Sequence, residues 1–161
     1  MALALSPAAA GEASAAARLA GKADKIVVLK GERTLYLLRG GEVLRSYKVA
    51  LGRQPRGTKI HEGDGRTPEG SYTLDARNPG SNFYRALRVS YPNRSDRARA
   101  RALGESAGGL VMIHGLPNER PQWGAEHWMF NWTNGCIAVT NREMDEIWDS
   151  VDLGIPVEIR P

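Results

Sequence analysis

Short apolar runs, each stopped by glycine, proline or a polar turn, constrain this chain more than any other feature. They fall at residues 26–29, 34–38, 43–51, 71–75, 87–91 and 110–113, and Ile155, Val157 and Ile159 alternate in a last one. Such runs are too short for helices and have the length and composition of strands. Gly40-Gly41 between two of them predicts a tight hairpin, because the favoured two-residue turns need positive φ. The run Leu110-Val111-Met112-Ile113 is continuous, as expected of a strand buried on both faces. Helical periodicity is confined to two places. Residues 97–103 form a short basic segment with Ser95 or Asp96 as its cap. Thr140-Asn141-Arg142-Glu143 fits a capping box, followed by Met144, Ile147, Trp148 and Val151 on one stripe, and Gly154 ends that helix. The fold class predicted is mainly β with a few short helices.

A length of 161 residues suits one domain with one core. Residues 24–161 are assigned to it. Residues 1–23 are rich in alanine and glycine without a period, and are read either as a disordered tail or as the remnant of a secretory leader. No stretch reaches the roughly 18 apolar residues of a membrane span. The net charge of +4 favours anionic partners without choosing among nucleic acid, a membrane surface and an acidic wall polymer.

The chain has one cysteine, which excludes an intrachain disulfide and an all-cysteine metal site. Cys136 follows Thr133-Asn134-Gly135, and an apolar run upstream ends at Ile113-His114-Gly115. Most free cysteines are small buried hydrophobes. A thiol after glycine in a polar turn also suits a nucleophile, because glycine lets a substrate approach the backbone and nearby N–H groups can hold an oxyanion. The residues alone leave both readings open. His114 is the natural base, with a backbone carbonyl such as that of Gly115 orienting its second nitrogen. A zinc site of His114, His127 and Cys136 can be drawn, but the spacings match no ligand ladder. His61 lies in a glycine-rich loop and is read as solvated. Residues 63–70 lack the Gly-Lys-Ser/Thr ending of a phosphate loop and are read as turns. Trp123, Trp128, Phe130 and Trp132 are read as core or loop anchors, some of them walling a groove.

Ile113-His114-Gly115, followed after a spacer by Thr133-Asn134-Gly135-Cys136-Ile137, resembles the signature of the L,D-transpeptidase catalytic (YkuD-like) domain. Gly63-Asp64-Gly65-Arg66-Thr67-Pro68-Glu69-Gly70 with Tyr72, the segment 85–93 and Gly135-Cys136-Ile137-Ala138-Val139-Thr140-Asn141 resemble its YafK-like branch. The resemblance spans about residues 24–161. It implies a β-sandwich-like fold in the periplasm or elsewhere outside the cytoplasm, and no metal or organic cofactor. The implied substrate is the peptidoglycan stem peptide, of the meso-diaminopimelate type. Cys136 and His114 would be catalytic, and Gly115, Thr133, Asn134 and Gly135 would bind substrate. The implied reaction is acyl transfer through a Cys136 thioester that forms 3→3 crosslinks or exchanges the terminal D-amino acid.

Two departures stand out. The commoner pattern has arginine where this chain has Ala138, and the spacer from His114 to Cys136 is longer than usual. Arginine suits bidentate carboxylate binding, so Arg85, Arg88 and Arg142 become candidates to supply that charge. Water as acceptor, giving an L,D-carboxypeptidase or an amidase, is the alternative outcome. A wall-binding module with a disused site is a second class of function. Nucleic-acid binding through the arginines of residues 94–101 is a third, which no stacking platform or DNA-binding motif supports.

Overall fold

The computed structural model describes residues 22–161. Most of the Ala-rich segment 1–23 therefore lies outside the described residues. Ala23 is already packed, with its N–H donating to the Ser150 carbonyl at 2.8 Å.

Eight strands form one mixed sheet in the order β3-β2-β1-β8-β4-β5-β6-β7. The first three are β1 (Lys25–Leu29), β2 (Thr34–Arg39) and β3 (Glu42–Lys48). Next come β4 (Gly70–Ser81), β5 (Tyr84–Val89), β6 (Met112–His114), β7 (Ile137–Ala138) and β8 (Pro156–Arg160). The β1–β8 and β6–β7 pairs are parallel and all others antiparallel. Gly40 and Gly41 turn β2 into β3 with φ of +57° and +82°, the two positive values that this hairpin demands. Helix α1 is Arg94–Ala102 and α2 is Asn141–Ser150.

The sheet folds on itself. β4 pairs with β8 over Gly70–Thr73 and then, past a bulge after Leu74, with β5. A bulge adds twist and bends a strand, which lets the two halves face each other. Ile26, Val28, Leu35 and Leu37 from one half meet Leu74, Leu87, Ile113 and Ile137 from the other. Met144 and Ile147 of α2, with Val151 just past its end, seal this core, all fully buried. Each such side chain contributes about 1.5–3 kcal/mol by leaving water. The two edges then meet. Beyond β3, Ala50 bridges Ala138 with paired bonds of 3.0 and 2.9 Å, and Thr133 bonds Leu51 and Arg53. Closure removes open edges and fixes the turn at 133–136 between the segment after β3 and strand β6.

Several local expectations change in the fold. β4 runs on past the expected end at Asp75 to Ser81, paired with β5 at Ala76, Arg77, Asn78 and Ser81 around an irregularity between Asn78 and Ser81. α1 is capped by Asn93, and Asp96 is the returning acid of that box rather than the cap. Asp96 is buried, holding the Tyr72 hydroxyl at 2.8 Å and Arg99 at 2.7 Å. Leu110 is exposed, with φ of +56°, and strand β6 starts only at the half-buried Met112. α2 has the expected Thr140–Glu143 box but stops at Ser150, ahead of Gly154.

Candidate active site

β6 and β7 place the two candidate reactive groups. Their register pairs Ile113 with Ile137 and His114 with Ala138. One step back, Cys136 lies beside Met112. Residues two apart on a strand share a face, so Cys136, just ahead of β7 and level with Met112, stands on the same side as His114. Both line one cleft of about 1220 Å³.

Thr133 builds the turn before the thiol. Its buried hydroxyl donates to the Cys136 carbonyl at 2.8 Å and accepts the Gly135 N–H at 3.1 Å. Gly135 has φ of +137°, and a Cβ there would lie 2.6 Å from the Arg66 carbonyl oxygen. Any other residue would therefore displace either the turn or the loop over it. Thr133, Asn134 and Gly135 all line the cleft. Gly115 is placed differently. It lies behind His114, outside the cleft wall, where a Cβ would meet Asn141 Oδ1 at 2.6 Å. Its N–H donates to the Phe83 carbonyl, and its own carbonyl faces the histidine ring.

That carbonyl accepts from His114 Nδ1 at 2.7 Å. A carbonyl can only accept, so the proton sits on Nδ1 and Nε2 keeps a lone pair. Phe83 lies on the ring at 4.4 Å and Trp132 stands at 5.7 Å. Burial pushes His114 down to about 4, with the Gly115 bond pulling the other way. Burial also pushes the Cys136 thiol up, while a backbone hydrogen bond at Met112 and the charge of Lys59 oppose it. The resting pair is thus thiol and neutral imidazole, with the thiol donating to the Leu110 carbonyl at 3.4 Å. This arrangement can activate a sulfur nucleophile by general base catalysis as substrate enters.

His127 is not part of the cleft wall. Trp132 Nε1 donates to its Nδ1 at 3.3 Å, so its proton is on Nε2, which is buried without a partner among the described residues. His61 Nδ1 faces the Glu62 carbonyl at 2.8 Å. Trp123 and Trp132 wall the cleft, whereas Phe130 is 73% exposed and Trp128 lies under Lys48. Arg85, Arg88 and Arg142 are each paired outside the cleft, with Asp145, Asp75 and Glu146. Ala138 is fully buried and its backbone is bridged to Ala50. Sequence reasoning missed Arg53, Lys59, Phe83 and Arg120 as cleft residues. They come from loops with no periodic signal, and only the closure of the sheet gathers them.

The two depressed histidines set an acid limit on the fold. Burial holds both His114 and His127 near 4, against 6.5 for a free imidazole. Between these values the unfolded chain binds protons that the fold refuses. The stability they contribute is complete above pH 6.5 and lost as pH falls towards 4. The urea midpoint is expected to hold steady above this window and drop within it, and His127→Gln to flatten the drop. A midpoint unchanged through the window would mean that both rings charge inside the fold.

Comparison with known proteins places this geometry in context. The family YkuD, L,D-transpeptidase catalytic domain, matches residues 23–159. YafK of Escherichia coli (strain K12) is 33% identical over an alignment of 140 residues that covers 83% of this chain and 49% of that protein. Among solved structures, the helical cell shape determining protein Pgp2 from Campylobacter jejuni superposes with a TM-score of 0.62 at 25% identity, over 87% of this chain and 48% of that one. An L,D-transpeptidase from Mycobacterium smegmatis shares the fold with a TM-score of 0.56 at 20% identity, over 86% of this chain and 59% of that one. The chain spans about half the length of the curated relatives it matches.

Proposed function

This chain belongs to the YkuD family of L,D-transpeptidase catalytic domains, and on that premise we propose that it is a cysteine acyltransferase acting on peptidoglycan stem peptides outside the cytoplasm. The observation that carries the proposal is the placement of His114 on β6 and of Cys136 immediately before the parallel strand β7, both lining one cleft.

In this reading Cys136 Sγ attacks the carbonyl carbon of the third stem residue while His114 Nε2 takes the thiol proton. The tetrahedral intermediate collapses, the bond to the terminal D-alanine breaks, and the imidazolium returns the proton to the leaving amine. A thioester remains on Cys136. The amine of a second stem then attacks it, giving a 3→3 crosslink and restoring the thiol. Water in place of that amine gives the tripeptide. Thr133, Asn134 and Gly135 shape the pocket, and Asn134 is exposed at its rim. Gly135 N–H already serves Thr133, so oxyanion stabilisation falls to other groups. No helix among the described residues is long and apolar enough to cross a membrane. Pgp2 is a helical cell shape determining protein, and remodelling of the wall is the parallel role proposed for this protein.

The test is incubation with disaccharide tetrapeptide of the meso-diaminopimelate type, followed by mass spectrometry of products and protein. The expected result is loss of D-alanine, a stem-peptide adduct on Cys136, and crosslinked dimers. Tripeptide alone would assign hydrolysis. Retention of tetrapeptide without any product would replace the enzyme by a wall-binding module.

A further inference from the structure

The resting site has an electrostatic deficit. A thiolate and then an oxyanion must form in it, yet His114 and Cys136 are both held neutral at rest. A developing negative charge in a partly buried cleft needs a nearby positive one. Six charged or titratable groups line the cleft with the thiol: Arg53, Lys59, Glu62, Asp64, His114 and Arg120. Arg53 and Arg120 are exposed, and Arg120 lies over Trp123. Lys59 alone among the three cations is buried, at 4% exposure.

Lys59 Nζ lies 3.8 Å from the position a Cβ would take on Gly135, the residue before the thiol. With no side chain there, nothing of residue 135 stands between the ammonium and the turn that carries the sulfur. The ammonium has three N–H donors. One serves Asp64 Oδ1 at 3.0 Å, the single hydrogen-bond partner of Lys59 among the described residues. Asp64 does not depend on Lys59 alone. It also accepts from the backbone N–H groups of Ile60 (2.7 Å), Arg66 (3.1 Å) and His61 (3.2 Å). Burial by itself would raise Asp64, but these bonds and Lys59 hold it at about 2. The carboxylate is thereby satisfied mainly by its own loop. It anchors the lysine while two N–H groups remain for the cleft.

We infer that Lys59 is the cation that stabilises negative charge at Cys136, first on the sulfur and then on the oxyanion beside it. The role is electrostatic, and its use in turnover rests on the acyl-transfer reading above. The effect on the sulfur does not require a stem peptide to be measured.

The test compares alkylation of Cys136 by anionic iodoacetate and neutral iodoacetamide from about pH 7 to 10, a range spanning the ordinary thiol. Lys59→Gln keeps a donor for Asp64 and removes the charge. It is expected to move the thiol titration up by about one unit and to lower the iodoacetate-to-iodoacetamide rate ratio about tenfold, the size of one unit of charge coupling. Arg53→Gln with Arg120→Gln is expected to change the titration by less than Lys59→Gln does. An unchanged titration in Lys59→Gln with native near-UV circular dichroism would overturn the inference. Should that variant not fold, the wild-type protein decides: its ratio must be higher folded than in urea, and an equal or lower folded ratio overturns the inference. Failure of the wild-type protein to turn over tetrapeptide overturns only the acyl-transfer reading, because alkylation involves no stem peptide.

Discussion

Cys136→Ala is expected to lower tetrapeptide turnover by at least about 10⁴-fold, equivalent to ~5.5 kcal/mol of lost transition-state stabilisation. The chain has no second thiol, so no neighbouring sulfur can take over the covalent step. What remains is direct attack by water, with binding in the cleft still intact. The residue is only partly buried and its thiol is held by backbone contacts alone, to the Leu110 carbonyl at 3.4 Å and at Met112, so the urea midpoint is expected to change little. Tetrapeptide turnover and its dissociation constant, measured on one preparation, separate chemistry from binding. Turnover within tenfold of wild type would rule out a covalent mechanism on sulfur.

The second large effect is expected at His114. Replacing it with alanine removes the acceptor of the thiol proton, a loss of about 10²–10⁴-fold for a general base. The pH profile distinguishes this from simple structural damage. Burial holds the ring at about 4, and Nε2 loses its lone pair only when the ring is protonated. The acid limb of kcat/KM in the wild-type protein is therefore expected near pH 4 rather than near 6.5. In His114→Ala the residual rate is expected to lack that limb and to follow thiolate formation upward into alkaline pH. An acid limb near 6.5 in the wild-type protein would show the ring to be solvated in solution and would remove the neutral-pair mechanism. The variant also opens space beneath Phe83 and Trp132, and a lower urea midpoint is the expected sign of it.

Much of the fold was legible because its signals are local. The Gly40-Gly41 hairpin depends on two adjacent backbone angles. The Thr140–Glu143 box depends on four consecutive residues, and the stripe Met144, Ile147 and Val151 on helical period alone. The errors fall where a distant partner outweighs a local preference. The apolar run 71–75 reads as a short strand, yet β4 extends to Ser81 because β5 lies beside it. Leu110 reads as strand core until the chain is seen to cross there with positive φ.

The candidate site divides in the same way. Residue types at short spacing made one chemistry a candidate: a lone thiol after Gly135, and a histidine before Gly115 whose carbonyl is one residue away. Spacing says nothing of whether a sulfur and an imidazole face the same space. That was decided by the parallel pairing of β6 with β7 and by the closure of Ala50 onto Ala138. The tertiary structure also brings Lys59, held by Asp64, beside the turn at Gly135, although only Asp64 falls in a segment that carries a sequence signal. Hydrogen-bonded turns and amphipathic periods arise from neighbours a few residues apart, so the amino-acid order determines them directly. The charge and solvation of a reactive group depend on every atom within several ångströms, and most of those atoms are distant along the chain.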